Sequence, residues 1–465
     1  MKPLMSIPLL ALSLSPLPVL AEEDMREMFN ELKSQVKTLQ TQVQQSNTRI
    51  NELEKELSQA HATQQPVQTT PAITPVATTA KVDEVVNKPA VTVGDVKGTF
   101  KIPGTNTSLG LGGYVKTDVL FNSVSAGRDK FGDQFTLYSQ IPLGKSPGEH
   151  SQTTFNAKES RIWFRSFTPS SWGDINTHLE MDFYGDPATF TYTPRLRHAY
   201  GSIGNFLVGQ TWTTFLNTNV LPNLLDSGGS AGAVYGVRQP LVRWTQPFTV
   251  DNLPMDVQIA LESPRSRIRD VPTADADVFS TPNADRYPDL VARINFNPDW
   301  GKFSLATLGR QVRNTDSFGH SQSEWGGAVS LAGKIDTVDL DSIRLMLNYG
   351  NAMGRYVASL NTFEDAALSN GNLQLINIYS GMLSYQHFWS KDWQSNVTYG
   401  FVHANQPAFA GNNVTSQVQS IHANLLWSPI SPIIFGMEYI YANRESVDGR
   451  DGDLQRVQFS ARYNF

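Results

Sequence analysis

The sequence predicts an all-β transmembrane barrel of about sixteen antiparallel strands, preceded by an N-terminal periplasmic coiled coil. Three observations carry this prediction. The chain ends on a strand with one apolar and one polar face, its longest apolar stretch has the length of an export signal, and short and long connections alternate between strand-like segments. A soluble β-protein is the alternative interpretation of the same alternation.

The C-terminal segment 453–465 reads DLQRVQFSARYNF and alternates apolar with polar residues. Val457 and Phe459 fall on one face of a strand, and Arg456 and Arg462 fall on the other. In an outer-membrane barrel the apolar face of such a strand contacts lipid, and the polar face contacts a water-filled lumen. The terminal Phe465 resembles the signal that the barrel-assembly machinery reads, so that machinery is an expected partner.

Residues 1–21 have the features of a signal peptide: Lys2, a short apolar core and a small-residue cleavage site at Ala21. No stretch of the chain approaches the roughly 20 apolar residues of a spanning helix. Removing the signal leaves 36 basic against 43 acidic residues, because one basic residue is lost, and the net charge changes from −6 to −7. This charge argues against nucleic acid as a partner. The chain has no cysteine, which excludes thiolate metal sites.

Segment 22–60 carries an unbroken heptad pattern, which predicts a coiled coil that joins copies of the chain. The apolar seam consists of Met25, Phe29, Leu32, Val36, Leu39, Val43, Ile50, Leu53 and Leu57, interrupted by Ser46. β-branched residues at position a with Leu at position d favour two strands. A single amphipathic helix packed on its own barrel is the alternative. Segment 61–98 is rich in Thr, Pro, Ala and Val, which predicts an extended linker.

From about residue 99 the period changes to two, and 99–465 is the predicted barrel domain. We expect sixteen strands, at 109–122, 158–168, 172–184, 195–203, 205–215, 237–247, 254–262, 289–297, 300–311, 324–335, 341–351, 376–390, 392–404, 418–428, 433–443 and 453–465. The long connections include 123–157, 216–236, 263–288 and 351–375. Because the count is even, both chain ends lie on the periplasmic side.

Strand parity predicts which charged side chains face the lumen, since a charge on the lipid face near the midplane costs roughly 2–4 kcal/mol. The basic set is Arg161, Arg165, Arg195, Arg197, Arg243, Arg293, Arg344, Arg456 and Arg462. A smaller acidic set is expected on the opposing face: Glu180, Asp182, Asp289, Glu262 and Glu438. A local arginine excess favours the entry of anions, and guanidinium groups match carboxylates geometrically. Alternatively, the arginines pair with acidic neighbours and hold the wall and an inner loop in place.

Segment 216–236 is a candidate for a loop that folds back into the barrel and narrows the channel. It is Gly-rich and almost uncharged, with Asp226 as its single acidic residue. It also contains Val220, Leu221, Leu224 and Leu225, which a solvated loop does not need. The alternative is a surface loop that packs on a neighbouring subunit.

The sequence gives less support to two other functional classes, a barrel enzyme and an envelope tether. A barrel enzyme needs a nucleophile, a base and an orienting group at one level, but the eight His residues are scattered and lie in no catalytic motif. No metal-ligand spacing occurs, and no cofactor or catalytic residue is expected. An envelope tether that acts through the coiled coil is the second alternative. Deletion of 22–98 would abolish tethering and leave conductance intact.

With these residues in hand, the chain resembles the DcaP-like porins of Gram-negative bacteria along essentially its whole length. The most specific stretches are FKIPGTNTSLGLGGYVKTD at 100–118, ESRIWFR at 159–165 and PRLRHAYGSIGNFLVGQTWTTF at 194–215. The resemblance implies an outer-membrane homotrimer of sixteen-stranded barrels, in contact with lipid and lipopolysaccharide, whose periplasmic coiled coil holds three chains. This conflicts with the two-strand preference of the heptads.

The resemblance further implies passive uptake of small anionic solutes such as dicarboxylates through a loop-narrowed, arginine-lined pore. The positions carried over to this constriction are Arg161, Arg165, Arg195, Arg197 and Arg243. A general, non-selective porin is the alternative.

Overall fold

The computed structural model describes residues 37, 92–125, 135–144, 149–185, 192–271, 284–315, 318–357 and 362–465. The predicted signal peptide, most of the linker and the predicted coiled coil apart from Lys37 lie outside the described residues. Lys37 itself is helical. Within the described part of the chain, no helix is both long and apolar enough to cross a membrane.

The described residues form a closed antiparallel barrel of sixteen strands, as the sequence predicts. The barrel strands are β2 (Ser108–Asn122), β4 (Arg161–Thr168), β5 (Ile175–Asp182), β6 (Arg195–Ile203), β7 (Phe206–Trp212), β8 (Arg238–Val250), β9 (Leu253–Glu262), β11 (Asp289–Phe296), β12 (Gly301–Thr315), β13 (Ser321–Asp336), β14 (Ser342–Asn351), β17 (Asn377–Phe388), β18 (Trp393–Asn405), β19 (Thr415–Ile430), β20 (Ile433–Ser446) and β21 (Asp451–Asn464). Each of them corresponds to one predicted segment.

The barrel closes where the C-terminal strand meets the first long strand. β21 pairs antiparallel with β2, in a register that sets Val115 opposite Tyr463. The pairing continues to the last residue, because the backbones of Gly113 and Phe465 exchange two hydrogen bonds of 3.0 Å. Closure leaves no free sheet edge, which is the condition for a sheet to span a lipid bilayer.

Next to β2, the barrel wall is formed by two short strands in succession. β3 (Gln152–Asn156) and β4 both pair with β2, above and below an irregular segment at 157–160. There the Ser160 hydroxyl replaces the backbone hydrogen bonds of the sheet. It accepts from the Lys116 N–H at 3.0 Å and donates to the Lys116 carbonyl at 3.2 Å. The predicted strand 158–168 therefore begins at Arg161.

The two faces of the wall differ as the period of two requires. In β14, Leu345 and Leu347 are 37% and 43% exposed, whereas the intervening Met346 is fully buried. The apolar side chains that point outward suit contact with lipid, and the inward side chains pack inside the barrel.

Some strands lie outside the predicted barrel pattern. β1 (Phe100–Lys101) adds to β2, and a separate three-stranded sheet joins β10 (Ile268–Val271), β15 (Ala366–Ser369) and β16 (Asn372–Leu375). β10 and β15 are parallel, and they belong to the two long connections predicted at 263–288 and 351–375. These two long connections therefore pair with each other.

The short turn before β14 is held by a carboxylate. Asp341 accepts hydrogen bonds from the Tyr385 hydroxyl at 2.6 Å and the Phe388 N–H at 2.8 Å, and it lies 2.7 Å from His387 Nδ1. These contacts, that of Tyr385 first, lower the pKa of Asp341 to about 2. The turn is thereby tied to the end of β17.

Candidate functional site

Two of the predicted lumen arginines come together through the pairing of β5 with β6. The register sets Asp182 opposite Arg195 and Glu180 opposite His198, with Arg197 as an extra, bulged residue. Arg195 donates to both oxygens of Asp182, at 2.9 and 2.7 Å. Arg197 bridges the two carboxylates, with contacts of 2.6 Å to Glu180 and 2.8 Å to Asp182.

Arg161 reaches the same group of charges from β4. Its guanidinium lies 3.7 Å from Glu180 and 3.8 Å from Glu159, and it lies over the Tyr114 ring. Glu159 in turn forms a close ion pair with the buried Lys116. The period of two predicts Arg161 on the inner face. Its two contacts with carboxylates, at 3.7 and 3.8 Å, are longer than those of Arg195 and Arg197.

The predicted acidic face opposite the arginines is not found. Glu180 and Asp182 lie between the arginines on adjacent strands, because the β5–β6 register interleaves the two signs of charge. Asp289 lies elsewhere on the wall, where it pairs with Arg310 at 3.2 Å. Glu180 and Asp182 therefore do not form a separate acidic face opposite these arginines.

A fourth arginine, which the sequence reasoning missed, completes the group. Arg238, the first residue of β8, lies 4.5 Å over the Trp212 ring. It makes no ion pair with a carboxylate within the described part of the chain. We refer to Arg161, Arg195, Arg197 and Arg238 as the arginine cluster.

An open cavity lies against the arginine cluster. All four of its members line the cavity, together with Glu159 and with Ser227, Gly228 and Tyr235. Glu180 and Asp182 pair with the arginine cluster, and Lys116 lies close to Glu159 and Asp118. Together these groups are five cations and four carboxylates. Among these described groups one positive charge remains uncompensated, and Arg238 is the cation for which they supply no carboxylate partner.

Residues 213–237, which connect β7 to β8, form what we call the inner loop. Its apolar side chains pack inside the barrel: Val220 is fully buried, and Leu221 and Leu224 are half-buried. Asp226 is buried as well and accepts from the Thr136 N–H at 3.0 Å and the Gly228 N–H at 2.8 Å. All four residues predicted for a constriction loop thus lie in a segment that folds inward.

The inner loop is fastened to the far wall by backbone contacts. The Leu225 N–H donates to Glu438 at 2.6 Å, and the Ala231 N–H donates to Ser420 at 3.0 Å. The Gly232 carbonyl accepts from Asn348 at 3.3 Å. Because the loop starts at β7 and is bound to β14, β19 and β20, it crosses the barrel interior.

Two further segments enter the barrel, which the sequence reasoning did not single out. In the first, Tyr138 is fully buried and its hydroxyl donates to the Gly229 carbonyl of the inner loop at 2.8 Å. Burial raises the pKa of Tyr138, so the hydroxyl stays neutral. In the second, the Tyr356 hydroxyl donates to Asp289 at 2.8 Å, while Phe363 is fully buried. Buried apolar residues within a long connection are the signal that could have found both.

The remaining predicted arginines have different roles. Arg165 is exposed, lies 4.4 Å over the Trp163 ring and donates to His178 at 3.0 Å. Arg293 donates to the carbonyls of Thr214 and Leu216, so it holds the inner loop.

Arg243 and Arg344 lie apart from the cavity. The Nε of Arg243 has no hydrogen-bond partner among the described residues. Arg344 donates to Gln386 at 2.6 Å and is buried. The alternative of pairing with acidic neighbours therefore describes Arg195 and Arg197, whereas Arg293 holds the inner loop and Arg344 contacts the wall through neutral partners.

This architecture is similar to that of known outer-membrane proteins. The model of the DcaP outer membrane protein family matches residues 102–465. The crystal structure of the outer membrane channel DcaP of Acinetobacter baumannii aligns with a TM-score of 0.64 at 22% identity, over 80% of this chain and 100% of that chain.

The anion-selective porin from Comamonas acidovorans aligns with a TM-score of 0.49 at 12% identity, over 77% of this chain and 100% of that one. The curated proteins contain no match to the chain. The family match spans the barrel from β2 to the C-terminal residue, and the family and fold are those of outer-membrane channels rather than of enzymes. The chain belongs to the DcaP outer membrane protein family.

Proposed function

We propose that this outer-membrane channel is a passive pore that favours small anionic organic solutes, dicarboxylates among them. The single observation that supports this most is the uncompensated guanidinium of Arg238 in the cavity beside the inner loop. A positive surplus at a narrow point raises the local concentration of anions and lowers that of cations.

The chemistry of the lining supports carboxylates within the class of anions. A guanidinium group donates two parallel hydrogen bonds to a carboxylate, as Arg195 does to Asp182. Because four guanidinium groups line one cavity, a solute with two carboxylates can contact two of them at once. Arg165 and Arg243 extend the basic lining along the wall.

The test is ion selectivity in a planar bilayer under a potassium chloride gradient, followed by addition of succinate. We expect a reversal potential of the sign for anion preference, and a reduction of the chloride current by succinate. The variant Arg195→Ala/Arg197→Ala leaves Glu180 and Asp182 without their closest cations, so its anion preference should be weaker. Cation preference of the wild type, or an unchanged variant, contradicts the proposal and leaves a general diffusion pore.

We also propose that the segment 22–60 forms a periplasmic coiled coil that holds three copies of the channel, supported by the heptad pattern and the family resemblance. Light scattering of the mature chain in detergent, beside a variant that lacks 22–98, measures the number of copies. A mass of three chains that falls on deletion is the expected result. A dimer contradicts it and agrees with the β-branched residues at position a. Contacts with lipopolysaccharide and with the assembly machinery through Phe465 remain expectations of the same kind.

A further inference from the structure

A charged residue lies on the outward face of the barrel wall, at the end of β12. Arg310 and Val312 are fully buried and face the interior, so the residues that alternate with them face outward. A charge on the outward face is costly where the wall contacts acyl chains, so we expect the end of this row to lie among lipid headgroups. The outward row of β12 consists of Leu305, Thr307, Gly309, Gln311 and Arg313.

The row ends where the long connections of the barrel lie. The N–H of Arg313 donates to the Ser266 hydroxyl at 3.2 Å, and Ser266 belongs to the connection 263–288. In outer-membrane barrels the long connections face the outside of the cell. The outward row of β12 therefore leads from the hydrocarbon region to the headgroups of the outer leaflet.

Two stacked aromatic rings lie beside the end of this row. The centroids of Tyr287 and Trp325 are 5.6 Å apart, and the two side chains are 42% and 62% exposed. Trp325 pairs with Gln311 in the register of β12 and β13, so it lies on the same outward face. Exposed aromatic rings near strand ends are typical of the boundary between acyl chains and headgroups.

Arg286 is a second cation at this boundary. It is exposed and lies 5.5 Å from the centroid of the Tyr287 ring. Its neighbour Asp285 accepts from the Ser266 N–H at 3.0 Å, and the Ser266 hydroxyl contacts Arg313, so one residue links the two arginine positions. Over the residues that the structure describes, no carboxylate lies within ion-pair distance of either guanidinium. We refer to Arg286, Tyr287, Arg313 and Trp325 as the outward patch.

The guanidinium of Arg313 is held in place and keeps donors to spare. One terminal nitrogen donates to the Ser321 hydroxyl at 2.7 Å, and Ser321 lies opposite Thr315 on the same outward face. The Nε of Arg313 has no hydrogen-bond partner among the described residues. The exposed Glu324 is opposite the inward Val312 and therefore lies on the other face of β13. Guanidinium donors without a charged acceptor beside them suit a phosphate group.

The wall below the outward patch is partly bare. Gly309 and Gly327 are opposite each other, and a Cβ added at Gly309 would meet open space. Further along the same face, Leu305 and Leu331 are paired and are 46% and 52% exposed. The two glycines leave a gap in the side-chain layer, in which an acyl chain can lie against the backbone.

From these observations we propose that the outward patch binds a phosphate monoester on the glycolipid anchor of lipopolysaccharide. The phosphate contacts Arg286 and Arg313, and an acyl chain follows the wall past Gly309 and Gly327. A phosphate monoester carries about −1.5 to −2 charges at neutral pH, which two guanidinium groups match, whereas a phosphodiester headgroup carries about one. The site lies on the outer face of the wall, so it does not depend on the proposed ion selectivity.

The probe for this site is lipid A, a glycolipid with two phosphate monoesters, compared with the same lipid after both phosphates have been removed. Native mass spectrometry of the mature chain in detergent measures how much of each lipid is bound across a titration. Because hydrogen bonds between charged groups are lost, dephosphorylation should weaken binding to the wild type about tenfold or more. Arg286→Gln/Arg313→Gln should weaken the binding of lipid A to the same extent and leave the binding of the dephosphorylated lipid unchanged.

The matched control is Arg450→Gln. Arg450 lies in a connection at the same end of the barrel, but it pairs with Asp448 at 2.9 Å, so its loss should leave lipid A binding unchanged. All variants should keep wild-type heat modifiability and potassium chloride conductance, because the changes lie outside the pore.

Equal binding of the two lipids to the wild type overturns the proposal without any variant. Unchanged binding of lipid A in the double variant does so as well, and so does an equal loss in Arg450→Gln. Displacement of lipid A by millimolar inorganic phosphate would show a site for free phosphate instead of a lipid, and it also overturns the proposal.

Discussion

The surplus charge at Arg238 gives the sharpest test of how the cavity selects ions. Arg238→Gln removes the cluster cation that has no carboxylate partner among the described residues, so the surplus counted over those residues falls from one positive charge to none. The double variant Asp182→Asn/Arg195→Gln removes one charge of each sign and leaves the surplus unchanged. The two variants therefore separate net charge from the mere number of arginines.

The size of the effect follows from the distance between the ion and the guanidinium. We take an ion that passes about 5 Å from the charge, roughly one water layer away. One unit charge at this distance contributes about 0.8 kcal/mol in bulk water, and screening by 0.1 M salt reduces this to about 0.5 kcal/mol. This corresponds to a factor of about 2 in the occupancy of each ion. The protein wall lowers the dielectric constant, so the value is a lower bound.

In Arg238→Gln the occupancy of anions falls by that factor and the occupancy of cations rises by it. The anion-to-cation permeability ratio should therefore fall at least about fourfold. The assay is the reversal potential in a tenfold potassium chloride gradient, repeated at higher salt, where screening should shrink the difference. The double variant should keep the wild-type ratio. A fourfold loss in the double variant with no change in Arg238→Gln would refute the assignment of the surplus to Arg238.

Three further predictions concern the loop, the C-terminus and a turn. A Cβ at Gly232 would collide with the backbone of the far wall, so Gly232→Ala should displace the inner loop and change the single-channel conductance, whereas Gly309→Ala, which has open space around it, should not. Deletion of Phe465 should reduce the folded, heat-modifiable fraction in the outer membrane, while Tyr463→Ala, which removes a ring of similar exposure (52% against 53%), should reduce it less. Asp341 has its pKa lowered to about 2 in the folded chain, so it stabilises the fold above about pH 4 and this contribution is lost as the pH falls towards 2. The difference in Tm between wild type and Asp341→Asn should therefore shrink over that range, and a difference that grows would contradict it.

The sequence predicted the barrel well, because lipid on one side and water on the other impose a strict period of two on every strand. The predicted strand 195–203 has the same bounds as β6, and all sixteen segments have a counterpart. Strand ends were predicted less well. β12 extends to Thr315 rather than residue 311, because polar residues at its end pair with β13 and make hydrogen bonds such as the one between the Thr315 and Ser321 hydroxyls.

The site was harder to predict, because parity assigns a side chain to a face and does not assign its neighbours. Glu180 and Asp182 were correctly expected inside, but only the β5–β6 register shows that they lie between Arg195 and Arg197. Arg238 shares its parity with the outward-facing Val242. Because Arg238 is the first residue after the inner loop, its side chain does not follow the inward–outward alternation of the strand, and it lies over the Trp212 ring.

The pairing of most cluster arginines with carboxylates follows from what a channel requires. Four bare guanidinium groups around one cavity would repel one another and would hold a dianion too tightly to release it. Glu180 and Asp182 offset most of that charge and fix the geometry of Arg195 and Arg197. What remains is the single surplus charge at Arg238, which is held by a ring rather than by an acid. On the proposed function, one surplus charge would bind an anion strongly enough to favour its entry and weakly enough to allow its exit, so selectivity and flux would not oppose each other.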